Sequence, residues 1–445
     1  MLAAVVLAAA AAVLVVLLAP DRLGLADRTP VAQLVALRGL LALLLVGAGV
    51  LLVGVVGGWR QIATRAGLRR PGWPLPLALA ALLALGGAAQ AAVVAARGVD
   101  GSGPGPAADG ELVVLSFNTF GVVPAGDLVA LVEQQDADVT VLAETSGATA
   151  REVARALTDA GRPTTALAAD ATGTRVEGVA LLVRDELGAY TQTTAGLPAT
   201  ELGTFAAVRA GAAEAMATTA ETDPGADAGA DRGADAGSHT DTASAVPTAS
   251  TMHLGGDAPA SDDAYPAYPA RGGGLPGNAY TVDDAYTVDA HSGETPSSSG
   301  DTAYTIGAPR TVGVAATRTG VPAPDVVVAA HTRAPSAGSS MPDWRAHAEG
   351  IAEVCRSTPG AIVAGDLNAT LDHPGLTDLR PCVDAAAATG AAGLGTWPAD
   401  VPRLLAAPID HVLVDGRAWR VTGFGVLPQV GSSDHRPVVA HLARR

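Results

Sequence analysis

The chain has 445 residues, 49% of them hydrophobic, and a formal net charge of -16; all 28 basic residues are arginine. Residues 211–310 hold 15 of the acids against only Arg232, Arg271 and Arg310, a net of -12, so the remainder is close to balanced. No basic footprint is left for a tight nucleic-acid binder, whose affinity rests mainly on phosphate contacts.

Three apolar runs open the chain, at 2–19, about 31–57 and about 74–96. A span needs roughly 20 apolar residues to cross about 30 Å of hydrocarbon, so the second and third qualify and the first is near the lower limit. The first run lacks a positively charged start and is followed by further spans, which argues against a secretory signal. Arg60, Arg65, Arg69 and Arg70 lie between the second and third runs with no acid, whereas Arg22 and Arg28 are balanced by Asp21 and Asp27. The positive-inside tendency then makes the four-arginine loop cytoplasmic and everything beyond residue 96 extracytoplasmic. Arg38, in or near the second run, fits this scheme poorly. The expectation is a multi-pass cell-membrane protein with about three spans in 1–96.

Residues 97–110 are rich in Gly and Pro and read as a flexible tether. From 111 onward, short Val/Ala/Leu-rich runs predict strands at 112–117, 138–143, 178–184, 204–209, 312–317, 325–330, 361–364, 409–414, 420–426 and 437–442. Apolar residues at three-to-four spacing predict helices at 125–135, 149–160 and 343–356. Continuous apolar runs predict strands covered on both faces. The acidic block at about 211–308, with its AYTVDD, AYTVDA and AYTIGA units, predicts a disordered insertion within one domain spanning 111–445. Its histidines, His239, His253 and His291, read as solvated filler. Cys355 and Cys382 are the two cysteines; an oxidising location lets them pair, and the alternative is two buried thiols.

Six apolar runs begin or end at residues suited to catalysis: LSFNTFG (Asn118), VLAETS (Glu144), VVVAAHTRAP (His331), AIVAGDLNAT (Asp366, Asn368), APIDHVLVD (Asp410) and GSSDHRPVVAHL (Asp434, His435). A rigid sheet holds such groups while leaving them open to a cleft. Taken singly, Asn118 reads equally as a turn cap, Glu144 as a strand-edge charge and His331 as a core histidine. His347, His373, His411 and His441 read as structural or surface residues.

In order, the set resembles the endonuclease/exonuclease/phosphatase superfamily, which includes deoxyribonucleases, sphingomyelinases and inositol polyphosphate 5-phosphatases. The resemblance covers 111–445 apart from the insertion. It implies an α/β fold, a four-layered sandwich of two central mixed sheets flanked by helices, with the site at one edge. It also implies Mg²⁺ or Mn²⁺ at Glu144, Asn118 and Asp434, with Asp366 handling the attacking water and Asn368 donating hydrogen bonds to phosphoryl oxygen. Asp410 would orient His435, which contacts phosphate or acts as acid/base, and His331 would protonate the leaving oxygen. Many members carry Gln before the metal-binding Glu; this chain has Ala143. Arg333 and Arg436, beside the motifs, could clamp phosphate or be structural.

The function expected is a membrane-anchored phosphoesterase acting on a lipid head group, a small phosphoester or nucleic acid, with no obligate protein partner evident. The competing readings are an extracellular DNA/RNA endonuclease and a catalytically idle, membrane-tethered binding module.

Overall fold

The computed structural model describes residues 1–69, 72–212, 318–336, 338 and 340–445. The expected strand at 312–317, nearly all of the expected insertion and its three histidines lie outside the described residues.

Four helices open the chain: α1 (Leu2–Leu18), α2 (Val31–Ala36), α3 (Arg38–Arg65) and α4 (Pro74–Ala96). Two of them, α3 and α4, are long and apolar enough to cross a membrane. The expectation of three is corrected, because α1 has 17 residues and an α-helix rises about 1.5 Å per residue, short of a full hydrocarbon core. The second run is not one helix from 31 to 57 either. It breaks at Leu37, and α3 continues to Arg65, taking Arg60 and Arg65 into its last turns.

The α/β part then runs β1 (Glu111–Asn118), α5 (Ala125–Gln135), β2 (Val139–Ala143), α6 (Gly147–Asp159), β3 (Thr164–Ala169), β4 (Val179–Arg184), β5 (Tyr190–Thr193) and β6 (Phe205–Arg209). After residue 318 come β7 (Val326–His331), α7 (Ser340–Ser357), β8 (Ala361–Asp366), β9 (Cys382–Asp384), α8 (Ala385–Thr389), β10 (Asp410–Asp415), β11 (Trp419–Val426) and β12 (Val438–Arg444). One mixed sheet has the order β11-β12-β1-β2-β4-β3 and the other β5-β6-β7-β8-β10-β9.

Strand alternation builds the layers, because successive side chains point to opposite faces. Leu112 and Val114 of β1 pack in the core shared by the two sheets, with Val141, Leu181, Val327, Ile362 and Val412. Val113, Leu115 and Phe117 point the other way, onto Leu128 and Leu131 of α5 and Val153 and Leu157 of α6. On the second sheet Val328 and Val363 turn outward onto Trp344 and Ile351 of α7. Each central strand is therefore apolar on both faces, and the result is a four-layered α/β sandwich. Helix α6 begins two residues earlier than its apolar spacing suggests, because the Ser146 hydroxyl accepts the Thr149 N–H and caps it.

Strands β3, β5 and β9 and helix α8 carry little sequence signal. β3, mostly Thr and Ala, and β5, Tyr-Thr-Gln-Thr, are half-exposed edge strands, and β9 is three residues long. Cys355 of α7 and Cys382 of β9 form a disulfide with a Cα–Cα distance of 6.2 Å, closing a 27-residue separation.

The segment 97–110 does not behave as a free tether. The Asp100 N–H donates to the Gly390 carbonyl and the Gly393 N–H to the Gly98 carbonyl, while Arg97 pairs with Asp372 at 2.7 Å. Backbone groups and a cation that would otherwise point into solvent are satisfied by the α/β part, which fixes the segment against it.

Candidate active site

Register assembles the site. β7 runs parallel to β8 with His331 opposite Asp366, and β10 runs antiparallel to β8 with Asp410 opposite Asp366. Three adjacent strands thus deliver His331, Asp366 and Asp410 in a row at one sheet edge. Gly365 makes the close β7–β8 approach feasible. Its φ is +151° and an added Cβ would lie 1.8 Å from the Ala330 carbonyl oxygen, so only glycine fits.

The other sheet supplies the facing groups. Asn118 ends β1 opposite Ala143 of β2, and Glu144 follows at once with φ +50°. A glutamate in the left-handed region is strained and must be held. The Thr119 N–H donates to the Ala143 carbonyl at 3.0 Å, and the Thr119 hydroxyl donates to the Glu144 carbonyl at 2.7 Å. These bonds fix Glu144. Asp434 and His435 precede β12, β1's antiparallel neighbour, and the Ser433 hydroxyl donates to the Asn118 carbonyl at 2.7 Å.

The side chains meet. The Asn118 amide donates to Glu144 Oε1 and to Asp366 Oδ2, both at 3.0 Å. His331 Nε2 lies 3.8 Å from each of those two oxygens, and His435 Nε2 lies 3.8 Å from Asp366 Oδ2. His435 Nδ1 is bonded to Asp410 Oδ2 at 2.8 Å, which fixes the ring. Asn368 has φ +45°; its amide donates to the Thr332 carbonyl at 2.9 Å and to Asp366 Oδ2 at 3.2 Å. Asp434 stands slightly apart, its Oδ2 accepting from Trp397 Nε1 at 2.9 Å.

Electrostatics divides these groups. Burial pushes the Glu144 carboxyl up, against the Asn118 hydrogen bond and the His435 charge. Burial likewise pushes Asp366 up to about 7, against His435 and with Asp410 adding repulsion. His435 is also buried, which disfavours its charge, yet Asp410 and Asp366 together hold it up at about 10. His331 goes the other way, down to about 3, through burial and then the His435 charge. At neutral pH the site therefore holds one imidazolium and one neutral imidazole.

Several donors fit a divalent cation. Asp434 Oδ1 and Asp410 Oδ1 are buried without a hydrogen-bond partner, and burial raises Glu144 and Asp366, a cost that a cation would offset. Ligating atoms of Asp366, Asp410 and His435 lie within 4.8 Å of one another. In that trio His435 Nδ1 is already taken by Asp410, leaving only its Nε2. The oxygens of Glu144, Asp434 and Asn118, whose Oδ1 accepts the Phe120 N–H and keeps a second lone pair, are the harder set.

The two arginines flanking the motifs are committed elsewhere. Arg436 is buried and donates to the Pro398, Ala399 and Val401 carbonyls, while Arg333 pairs with Glu201 at 2.6 Å. Thr119, Ser433 and Trp397 had no sequence signal, because their contacts to the site join distant segments. His411, read as structural, bonds Asp384 at 2.8 Å and the Ala369 carbonyl at 2.9 Å, and so braces the loop after Asn368.

The sequence profile of the Endonuclease/Exonuclease/phosphatase family matches residues 115–435, and the chain belongs to that family, whose members hydrolyse phosphoester bonds. Among solved structures it is similar to an endonuclease/exonuclease/phosphatase from Beutenbergia cavernae, at 12% identity and TM-score 0.39 over 75% of this chain and 72% of that one. It is also similar to a mannosyl-6-phosphatase of Bacteroides thetaiotaomicron, at 12% identity and TM-score 0.37 over 75% and 99% of the two chains. The human Nocturnin catalytic domain with bound sulfate is similar at 9% identity and TM-score 0.38, over 76% and 96%. A comparison with curated protein sequences finds no match.

Proposed function

We propose that the chain is a membrane-anchored, divalent-metal-dependent phosphoesterase whose reaction centre is the Asn118, Glu144, His331, Asp366, Asn368, Asp410, Asp434 and His435 cluster. The observation that carries this reading is the Asp410–His435 pair, 2.8 Å long, with the free His435 nitrogen facing Asp366. Glu144, Asn118 and Asp434 would hold Mg²⁺ or Mn²⁺, which when bound supplies Lewis-acid stabilisation of phosphoryl oxygen. Asp366, poised near neutrality, takes the proton of the attacking water as its oxygen bonds to phosphorus. His435 enters as imidazolium and gives its proton to the departing oxygen as the P–O bond breaks. His331, neutral, is a hydrogen-bonding group rather than the proton donor that the resemblance implies, and Asn368 donates to phosphoryl oxygen.

Two features support a membrane setting. The apolar windows of α3 and α4 are each only 17% buried, unlike core helices. The α1 end at Leu17, the α3 start at Arg38 and Arg97 after α4 gather at Gln90 and Asp372, while Arg60, Arg65 and Arg69 lie at or beyond the far end of α3. The catalytic part and the arginines then occupy opposite faces of a bilayer, which under the positive-inside tendency is the extracytoplasmic arrangement. That orientation favours membrane-proximal phosphoesters, lipid head groups or small ones, over polymeric nucleic acid.

Full-length protein in detergent, given bis-p-nitrophenyl phosphate with Mg²⁺ or Mn²⁺, should turn over substrate. Glu144→Ala and His435→Ala should each lose at least about 10²-fold in kcat. Equal background rates in all three would end the proposal. A phospholipid head-group release assay run beside plasmid nicking separates the substrate classes.

A further inference from the structure

The helical N-terminus does more than lead into the α/β part. Ala32 of α2 is fully buried in the same apolar cluster as Trp344, Ile351 and Val363, so it belongs to the core under the second sheet. Around it the Gln33 amide donates to the Pro335 carbonyl, and Arg345 pairs with Asp27 at 3.5 Å. At the start of α3, an added Cβ on Gly39 would lie 1.6 Å from the Leu404 carbonyl, so that helix is seated directly on the 397–408 loop.

The densest contacts fall on the loop after the GDLN motif. Arg38 grips Asp372 with two parallel bonds of 2.8 and 2.6 Å, and Arg97 adds a third at 2.9 Å. The remaining Arg38 nitrogen donates to the Leu17 carbonyl and to Gln90, whose own amide donates to Leu17. One residue on, His373 Nδ1 accepts the Thr370 N–H at 2.9 Å. Its Nε2 must then carry the proton that reaches the Ala32 carbonyl at 3.0 Å. The His373 ring also packs edge-on against Trp344, centroids 5.0 Å apart, and Trp344 Nε1 holds the Asn368 carbonyl at 2.9 Å. A continuous chain of contacts therefore runs from the helix ends through Asp372, His373 and Trp344 to Asn368.

We propose that segment 27–38 and the domain-facing helix ends form part of the catalytic unit, and that Asp372 and His373 are positioning residues through which they hold the loop bearing Asn368. The anchor is thus coupled to the active site rather than merely attached to it. The kinetic side of this inference rests on the phosphoesterase reading; the structural side does not.

The test is Arg38→Gln in the full-length protein in detergent, read by hydrogen exchange and by steady-state kinetics on bis-p-nitrophenyl phosphate. Arg97 remains in place to pair with Asp372 in this variant, so one cation stays at that carboxylate. The amides of Asn368, Thr370 and His373 should exchange faster, and kcat should fall about tenfold with KM within about twofold, as for a displaced rather than deleted group. Should Arg38→Gln not fold, His373→Phe replaces it, keeping the Trp344 contact while losing both bridges. Unchanged exchange at these amides overturns the coupling. If wild type lacks activity, the phosphoesterase reading fails while exchange still decides the coupling.

Discussion

Asp410 shows how one carboxylate sets the chemistry of another group. It bonds His435 Nδ1 and, with Asp366, outweighs burial to keep the imidazole protonated up to about 10. Asp410→Asn removes most of that support. The alkaline limb of the pH–rate profile should move down from near 10 by more than one unit, and kcat at pH 8 should drop about 10²-fold; an unmoved limb contradicts the role. Gly365→Ala is a second residue-scale case. Its Cβ would sit inside the Ala330 carbonyl, so the variant should be destabilised by about 3 kcal/mol or more in urea unfolding. The eight candidate residues could be read from sequence because each sits at the end of an apolar run, where the strand itself is the signal. Asp372 could not, since its partner Arg38 is 334 positions away and only tertiary packing joins them.

At the scale of elements, the strands legible in sequence are those apolar on both faces, such as β1, β2, β7, β8 and β12. Edge strands β3 and β5, rich in Thr, bury too little to announce themselves. The helices show a comparable split: Arg38 marks the 31–57 run at the point where it breaks, but only the fold shows that Asp372 receives its charge there. The Cys355–Cys382 bridge ties α7, packed on the second sheet, to β9, an edge strand of that sheet. Closing a loop of this length contributes about 3 kcal/mol in the chain-entropy model. Cys355→Ser with Cys382→Ser should lower the unfolding free energy by that order while leaving kcat within about twofold, measured by denaturant titration beside the hydrolysis assay.

At the scale of the whole molecule, the N-terminal helices join the α/β sandwich through a buried polar junction, and that junction has an acid sensitivity. His373 is held down to about 4, by burial first, against the Ala32 carbonyl and Asp372 and with Arg97 and Arg38. Its unfolded value is near 6.5, so between about 6.5 and 4 the unfolded chain binds a proton that the folded chain refuses. Stability from this group is complete above about 6.5 and is lost as pH falls towards 4, by about 3 kcal/mol in all. His373→Phe should flatten the dependence of unfolding free energy on pH across that window. The proposed chemistry, however, depends on Asn118, Glu144 and Asp434, all carried by the β1, β2 and β12 side of the cleft, sharing one divalent cation. Mn²⁺ titration of the full-length protein, followed by electron paramagnetic resonance, tests it most directly. One ion per chain should bind tightly, and binding should be lost or weakened at least about tenfold in Glu144→Ala and in Asp434→Ala. Identical Mn²⁺ binding by wild type and both variants would contradict it.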